Sequence, residues 1–423
     1  MQDKRFPMAN ETTLVGIALV ILGYGYFSKL LNRWNISGPM VFTAVGILLS
    51  PLGIGRTPFR FNAEAVQLVA QFALILVLFS DASALRLRQL RWGLPARLLF
   101  IAMPVTVVLT FLTAKYFYPE APPLYLMLLA LVLAPTDAAL GKAVVTDPAV
   151  PPDIRNGLNV ESGLNDGIVF PLLLTVLLLI TGGAGGGEQH GGNGGWFVFL
   201  SQQILCGAVA GGIVGYLGGR VGGVSIEKRW MTGEYGNLVP LALAVFAYYF
   251  AEAFGGNGYI AAFFGGLMMG NASEKLRRDV ENFAESEGEL LIMLSFLVFG
   301  LVLVPASVPY WDAKAVVFAL LSLTVLRMLP TVFALAGTKL DLAGRLFVGW
   351  FGPRGIASIL YILIAVETIG DITQREYLFA VMTMTVFLSI LLHGLSARPL
   401  ARIYSRHHPA DDTEKRDDSE TKV

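Results

Sequence analysis

Five charged side chains lie well inside long apolar stretches, namely Asp137, Glu161, Asp166, Arg327 and Arg354, and Asp81 lies near the inner end of another. A charge in a bilayer interior costs several kcal/mol, so each of them is a candidate functional residue. For the glutamate and the arginines, a buried structural ion pair is the favoured interpretation. Even after such pairing, the acids outnumber the arginines and at least one carboxylate lacks a cationic partner. Such a carboxylate can hold either a proton or a metal cation.

Two of the apolar stretches are interrupted close to a charge. Pro135 precedes Thr136 and Asp137, and Pro353 lies within Gly352-Pro353-Arg354-Gly355. Proline removes a helix hydrogen bond and clashes with the preceding turn, so both helices should break there. Non-helical backbone at membrane depth persists only where protein or water covers it, and paired breaks of this kind indicate a transporter binding site.

A third polar group begins the stretch that follows the first break. Ser162 and Asp166 are four residues apart and share one helix face. Counted from Asn156, Asp166 should lie roughly 15 Å deep, near the bilayer midplane. A carboxylate, a hydroxyl and freed main-chain carbonyls are hard oxygen ligands that suit a small cation.

The composition gives the setting of these residues. Of the 423 residues, 55% are hydrophobic and 15% charged, and the mean hydropathy is +0.63. This charge content is too low for a water-facing surface. Balanced charges (31 basic and 31 acidic residues) disfavour a nucleic-acid partner, and one cysteine and four histidines disfavour a disulfide framework or a resident metal centre. The sequence predicts an all-α polytopic membrane protein.

Thirteen stretches approach the roughly 20 apolar residues that a membrane span needs. They are 13–31, 37–55, 64–83, 95–118, 122–145, 155–181, 196–220, 236–254, 257–271, 289–306, 313–336, 344–369 and 377–400. If spans 1–6 and 8–13 are two inverted repeats, the broken spans 5 and 12 are equivalent. The membrane domain should cover 1–407, with a disordered cytoplasmic tail at 408–423.

The distribution of basic residues predicts the orientation. With the N-terminus outside, 22 of the 31 Lys and Arg residues fall on the cytoplasmic side, as the positive-inside rule requires. The C-terminus is then cytoplasmic, and the expected location is the inner (plasma) membrane. A glycine-rich linker at 182–195 could separate the two halves.

Three motifs resemble those of the monovalent cation:proton antiporters, in particular the NhaP-type sodium/proton exchangers. They are Ala134-Pro135-Thr136-Asp137, Glu161-Ser162-Gly163-Leu164-Asn165-Asp166 and Gly352-Pro353-Arg354-Gly355. The resemblance implies a homodimeric transporter without a cofactor, and not an enzyme. Its core helices (about 95–181 and 313–400) would move against interface helices (about 13–83 and 196–306), with spans 5 and 12 crossing at their breaks.

The resemblance also implies roles for individual residues. Asp166 would bind the cation and the proton alternately, with Thr136 and Ser162 completing the cation shell, and Asp81 is the best match to a further acid of the family. Asp137 would lie against the positive half-helix ends and Arg354 against the negative ones. Asn165 takes the position of a second aspartate in electrogenic relatives, so electroneutral exchange is expected. Glu161 and Arg327 would form a structural ion pair.

Two other functions are compatible with the residues alone. Asp137 and Asp166 could form the carboxylate dyad of an intramembrane aspartyl protease, although the Gly-x-Gly-Asp setting of such enzymes is missing. A cation channel is the second alternative, but broken helices around one acidic midplane site suit alternating access better. The sequence favours Na⁺ as substrate and leaves Li⁺ and K⁺ open.

Overall fold

The computed structural model describes residues 11–53, 63–86, 93–147, 150–182, 195–283, 288–370 and 376–407. Within these ranges the regular elements are all helical. The helices are α1 (Glu11–Arg33), α2 (Gly38–Leu49), α3 (Ala63–Ala84), α4 (Leu94–Phe117), α5 (Pro123–Val132), α6 (Ala138–Val145), α7 (Pro152–Ile180), α8 (Gly195–Glu227), α9 (Gly233–Ala253), α10 (Gly258–Ala272), α11 (Glu274–Phe283), α12 (Glu289–Tyr310), α13 (Ala313–Ala334), α14 (Leu342–Trp350), α15 (Ile356–Ile369) and α16 (Glu376–His407).

Each of the thirteen apolar stretches contains a helix, as predicted. In the described part of the chain, six helices are long and apolar enough to cross a membrane on their own. Several others are shorter, among them α2, α5 and α15. A short helix can still contribute to a span when a second helix continues its path, and this is the arrangement at the two breaks.

Both predicted breaks are present. Residues 133–137 separate α5 from α6, and residues 351–355 separate α14 from α15. The order of elements around them repeats: α4, the α5–α6 pair and α7 in the first half correspond to α13, the α14–α15 pair and α16 in the second. This repeated order is what an internal duplication of three spans produces.

Small residues bring the remaining helices close together. A Cβ atom on Gly266 or Gly270 of α10 would overlap the main-chain oxygen of Phe79 or Ser83 on α3. On another side, α10 packs against α8 at Gly211 and Gly215 with similarly little space. Such close approach of helix backbones is a main source of packing energy where no hydrophobic effect operates between helices.

One helix was not expected from the sequence. The segment Glu274–Phe283 is polar on average, yet it folds as α11 and buries Leu276, Arg277 and Val280. A uniformly apolar stretch does not predict this helix, because its apolar residues occupy only one face of a polar segment. The predicted tail at 408–423 and residues 183–194 of the predicted linker lie outside the described residues.

Candidate functional site

The two helix breaks meet inside the protein. The main-chain N–H of Asp137 donates to the main-chain oxygen of Pro353 over 2.9 Å, so the non-helical segments 133–137 and 351–355 contact each other directly. All ten residues of the two segments are buried. Because four helices end or begin here, several main-chain N–H and C=O groups have no partner within their own helix. We call this contact between the two breaks the crossing, and its unpaired main-chain groups determine which side chains can bind there.

Asp137 stabilises the positive helix end. Its Oδ2 accepts a hydrogen bond of 2.7 Å from the main-chain N–H of Ile356, the first residue of α15. A carboxylate at a helix N-terminus is favourable because the aligned peptide dipoles make that end positive. Gly355 lets the two chains come this close, since a Cβ atom there would overlap the Asp137 carboxylate.

Arg354 stabilises the negative helix end. Its Nη1 donates to the main-chain oxygens of Ala134, over 2.8 Å, and Pro135, over 3.0 Å. Ser358 adds a hydrogen bond of 2.7 Å from its hydroxyl to the carbonyl of Val132, the last residue of α5. Arg354 is fully buried, so this guanidinium places a positive charge where carbonyl oxygens would otherwise be unpaired.

Thr136 links the first break to α7. Its main-chain oxygen accepts from the Ser162 hydroxyl over 2.9 Å, and its Oγ1 accepts from the Asn165 amide over 2.8 Å. A helix that begins at Pro152 thus presents Ser162 and Asn165 to the crossing from one side. The hydrogen bonds fix the position of both Thr136 oxygens.

Asp166 lies one helical turn beyond Ser162 and is 5% exposed. Its Oδ1 has no hydrogen-bond partner, and the same holds for Oδ1 of the neighbouring Asn165. The Tyr361 hydroxyl lies near, 3.5 Å from the main-chain oxygen of Asp166. Buried oxygens without a donor are costly unless a proton or a cation satisfies them. The site therefore offers two acceptor oxygens without a donor, one on Asp166 and one on Asn165, whose amide donates to Thr136.

Asp81 approaches α7 from α3. Its main-chain oxygen is 3.4 Å from the Cβ position of Gly163, on the turn between Ser162 and Asp166. The carboxylates of Asp81 and Asp137 are both near enough to repel that of Asp166. A cation bound at Asp166 would reduce this repulsion, because it neutralises the charge of that carboxylate.

Two cavities, of about 610 and 830 Å³, lead towards this region. Both are lined by Asp81 and Asn159, and the larger one also by Ser162. They extend to exposed basic residues, Lys142 in one case and Lys339 in the other. Water and ions can thus approach Asp81 and Ser162 from the face of the protein that carries these lysines.

Aromatic side chains fill the region beyond Asp166. Phe170, one turn further along α7, packs against Tyr361 at 5.4 Å and against Tyr259 at 5.2 Å between ring centroids. Phe263 covers Gly167, where a Cβ atom would overlap its ring. The site therefore has a polar approach on one side and an apolar, tightly packed layer on the other.

Glu161 and Arg327 form a buried, bidentate ion pair. The Nη1–Oε1 distance is 2.6 Å and the Nη2–Oε2 distance is 2.8 Å, and both side chains are 2% exposed. The pair joins α7 to α13. Glu161 immediately precedes Ser162 in the sequence but points to a different neighbour, so the pair is separate from the oxygens around Asp166.

The structure thus brings Asp81, Thr136, Asp137, Ser162, Asn165, Asp166 and Arg354 together around the crossing. Sequence reasoning missed Ser358, Tyr361 and His393, which contact the same region. Of these three, His393 could have been found from the sequence, since an ionisable residue inside an apolar span is a candidate functional residue. In the described part of the chain, no three His, Cys, Asp or Glu side chains form a cluster that could hold a metal ion.

A family model described as sodium/hydrogen exchanger, transmembrane, matches residues 16–403. The chain is similar to the K⁺/H⁺ antiporter NhaP of Alkalimonas amylolytica, with 25% identity over 367 residues that cover 86% of this chain and 62% of the relative. It is also 25% identical to the K⁺/H⁺ antiporter NhaP2 of Shewanella oneidensis, over 403 residues that cover 93% of this chain and 67% of the relative. The chain therefore spans about two thirds of the length of these curated relatives.

A solved structure has the same fold. The sodium proton antiporter MjNhaP1 of Methanocaldococcus jannaschii at pH 8 superposes with a TM-score of 0.72, at 18% identity, over 93% of this chain and 99% of that one. At this identity the likeness concerns the fold. An all-helical membrane protein of this architecture is therefore confirmed for the chain.

Proposed function

Because the chain belongs to the transmembrane sodium/hydrogen exchanger family, we propose that it exchanges a monovalent cation for H⁺ by alternating access. The cation and the proton compete for the Asp166 carboxylate. The observation that carries this proposal is the buried Asp166 Oδ1 without a hydrogen-bond partner, one helical turn from Ser162, whose hydroxyl donates to Thr136. A proton satisfies that oxygen in one half of the cycle and a cation in the other.

The proposed cation shell consists of oxygens from Asp166, Thr136 and Ser162, with Asp81 as a further acid. Oxygen ligands of this kind suit hard alkali cations. We take Na⁺ as the substrate to be tested first, with Li⁺ and K⁺ as competitors, since the similar proteins include antiporters named for potassium and one named for sodium. Asp137, Asn165 and Arg354 support the site and do not bind the ion.

The proposed moving parts follow the repeated order of helices. The core comprises α4–α7 and α13–α16, and the interface part comprises α1–α3 and α8–α12. Every proposed ligand except Asp81 lies on the core. If the core moves with its cation, Asp81 stays behind on α3, so it would assist loading and would not travel with the ion.

The proposed setting is the plasma membrane, with the chain in a homodimer, its N-terminus outside and its C-terminus in the cytoplasm. In this orientation the two cavities open to the cytoplasm, since Lys142 and Lys339 belong to predicted cytoplasmic segments. The conformation described here is then the inward-facing one, and the layer around Phe170 closes the route to the outside.

Neither alternative function has an observation in its favour. In a protease dyad Asp137 would have to be available to a substrate, but its Oδ2 accepts the N–H of Ile356 at a helix end. A channel needs a continuous pore, whereas the packed aromatic side chains beyond Asp166 interrupt the path. Alternating access requires a site that opens to one side at a time, and the two cavities that reach it from one face support this mechanism.

Proton flux in proteoliposomes tests the proposal. Purified protein is reconstituted with a pH-sensitive dye and an imposed pH gradient, and NaCl, LiCl, KCl or choline chloride is added in turn. We expect at least one alkali cation to dissipate the gradient, while choline has no effect. A protein that shows no cation-dependent proton movement with any of the three alkali ions over a broad pH range would contradict the proposed function.

A further inference from the structure

A buried histidine lies behind the second break, and the proposed exchange does not use it. His393 is on α16, is 1% exposed and is held by the polypeptide on both sides of its ring. Its Nε2 is 2.9 Å from the main-chain oxygen of Trp350, the last residue of α14. Its Nδ1 is 3.2 Å from Oγ and 3.1 Å from the main-chain oxygen of Ser389. The ring also packs against the Trp350 indole, with centroids 4.9 Å apart.

The partners decide which nitrogen carries the proton. A carbonyl oxygen can only accept, so Nε2 must be the donor to Trp350. The main-chain N–H of Arg354 donates to Ser389 Oγ over 2.7 Å. Nδ1 lies within hydrogen-bond distance of both Ser389 oxygens, so it can accept from the hydroxyl or donate to the carbonyl. In either case a chain of hydrogen bonds runs from Arg354 through Ser389 and His393 to Trp350.

This chain of hydrogen bonds holds both ends of the non-helical segment 351–355. Trp350 provides the last main-chain oxygen before the segment, and Arg354 provides a main-chain N–H near its end. Ser389 and His393, four residues apart on one face of α16, bind these two groups. Between them lies Pro353, whose oxygen accepts from the main-chain N–H of Asp137.

We propose that His393 is a positioning residue for the cation site. Through Ser389 and Trp350 it fixes segment 351–355, so that Arg354 stays on the carbonyls of Ala134 and Pro135. Those two residues directly precede Thr136, whose oxygens face Ser162 and Asn165. The inference rests on the proposed exchange function, because its effect is on the ion that Thr136 and Asp166 would bind.

The expected consequence is a change in cation affinity. If the segment loosens, the Thr136 oxygens are no longer held in place before the cation arrives, and ordering them weakens binding. The apparent KM for the cation should therefore rise while the maximal rate changes little. A purely structural role would reduce the amount of folded protein and leave the KM of the remaining protein unchanged.

The test uses four variants of the full chain in proteoliposomes. His393→Leu removes the donor to Trp350, and His393→Gln keeps an N–H donor in a comparable position. Ser389→Ala removes the other link, to Arg354. Thr383→Val is the matched control, since Thr383 is a buried residue of α16 whose hydroxyl bonds only to carbonyls of its own helix. Exchange rates are measured against Na⁺ and K⁺ concentration and against pH, together with the thermal midpoint of each purified variant.

We expect His393→Leu and Ser389→Ala to raise the apparent KM roughly five- to tenfold, as the loss of one buried hydrogen bond allows. His393→Gln should recover most of the wild-type KM, and Thr383→Val should match the wild type. If His393→Leu does not fold, Ser389→Ala and His393→Gln carry the same test.

Two results would overturn the role of His393. One is a wild-type KM in a folded His393→Leu or Ser389→Ala protein. The other is a shifted pH profile in His393→Gln at unchanged KM, which would mean that the ring itself titrates during transport. If the wild-type protein shows no exchange at all, the proposed function itself is wrong. If the wild type exchanges but the variants keep its KM, only the positioning role of His393 is wrong, so the two failures are distinguishable.

Discussion

Asp137 and Arg354 each stabilise the end of the other's broken helix. Asp137, at the first break, accepts the N–H of Ile356 at the start of α15, and Arg354, at the second break, donates to carbonyls just after α5. A negative charge thus faces a positive helix end and a positive charge faces a negative one. Because each break supplies a side chain that bonds to the main chain of the other, two breaks can cross at membrane depth with these main-chain groups hydrogen-bonded.

Asp166→Asn should abolish exchange and leave the fold intact. Asparagine has nearly the same volume and keeps one carbonyl ligand, but it cannot bind and release a proton near neutral pH. Asp153→Asn, at the exposed start of the same helix, is the control and should exchange at the wild-type rate. Dye-reported flux in proteoliposomes, with size-exclusion profiles to check folding, gives the answer. Wild-type exchange by Asp166→Asn would show that another residue carries the proton.

Gly355→Ala should damage the site through a single methyl group. The added Cβ would overlap the Asp137 carboxylate and push it away from Ile356. We expect a loss of about 1–3 kcal/mol in stability from overpacking and a reduction of the exchange rate by roughly tenfold or more. Gly141→Ala is the matched control, since nothing lies within 4 Å of its Cβ position on α6. If Gly355→Ala and Gly141→Ala have the same exchange rate, the close approach at Gly355 has no functional importance.

The Glu161–Arg327 pair should contribute to stability and not to ion binding. Removing one partner strands a buried charge and costs about 3–5 kcal/mol, whereas replacing both with apolar residues of similar size can be nearly neutral. Glu161→Met and Arg327→Met should each lower the thermal midpoint of the purified protein more than the double variant does. The double variant should keep the wild-type KM for the cation. Additive losses in the double variant would argue against the pairing.

Exchange should be one for one and insensitive to membrane potential. The crossing has Asn165 beside Asp166, and Asp137 is engaged at a helix end, so one carboxylate carries either one cation or one proton. Each net charge moved would be worth about 2.3 kcal/mol per 100 mV, against about 1.4 kcal/mol per unit of pH gradient. A potassium/valinomycin potential is imposed on proteoliposomes with equal Na⁺ concentrations inside and outside and with the pH gradient clamped at zero. Sustained Na⁺ accumulation would instead indicate a second proton carrier, with Asp81 the first candidate.

The sequence by itself determined where the apolar helices lie and where two of them break. Thirteen apolar stretches, Pro135 and Pro353 were sufficient, because a bilayer tolerates few backbone structures and proline cannot continue a helix hydrogen-bond ladder. It also identified the charged residues around the crossing, since a charge in an apolar span is costly and therefore usually has a function.

Only the tertiary structure decided how those residues are paired. The sequence does not specify that Arg354 contacts Ala134 and Pro135, or that Ser389 and His393 on the last helix hold the second break. These contacts join segments far apart in the chain, and their geometry depends on how whole helices pack. The amphipathic α11 was missed for a related reason, because its few apolar residues are buried only once α3, α9 and α10 surround them. Local patterns fix elements, whereas the partner of a buried polar group is set by which elements come together.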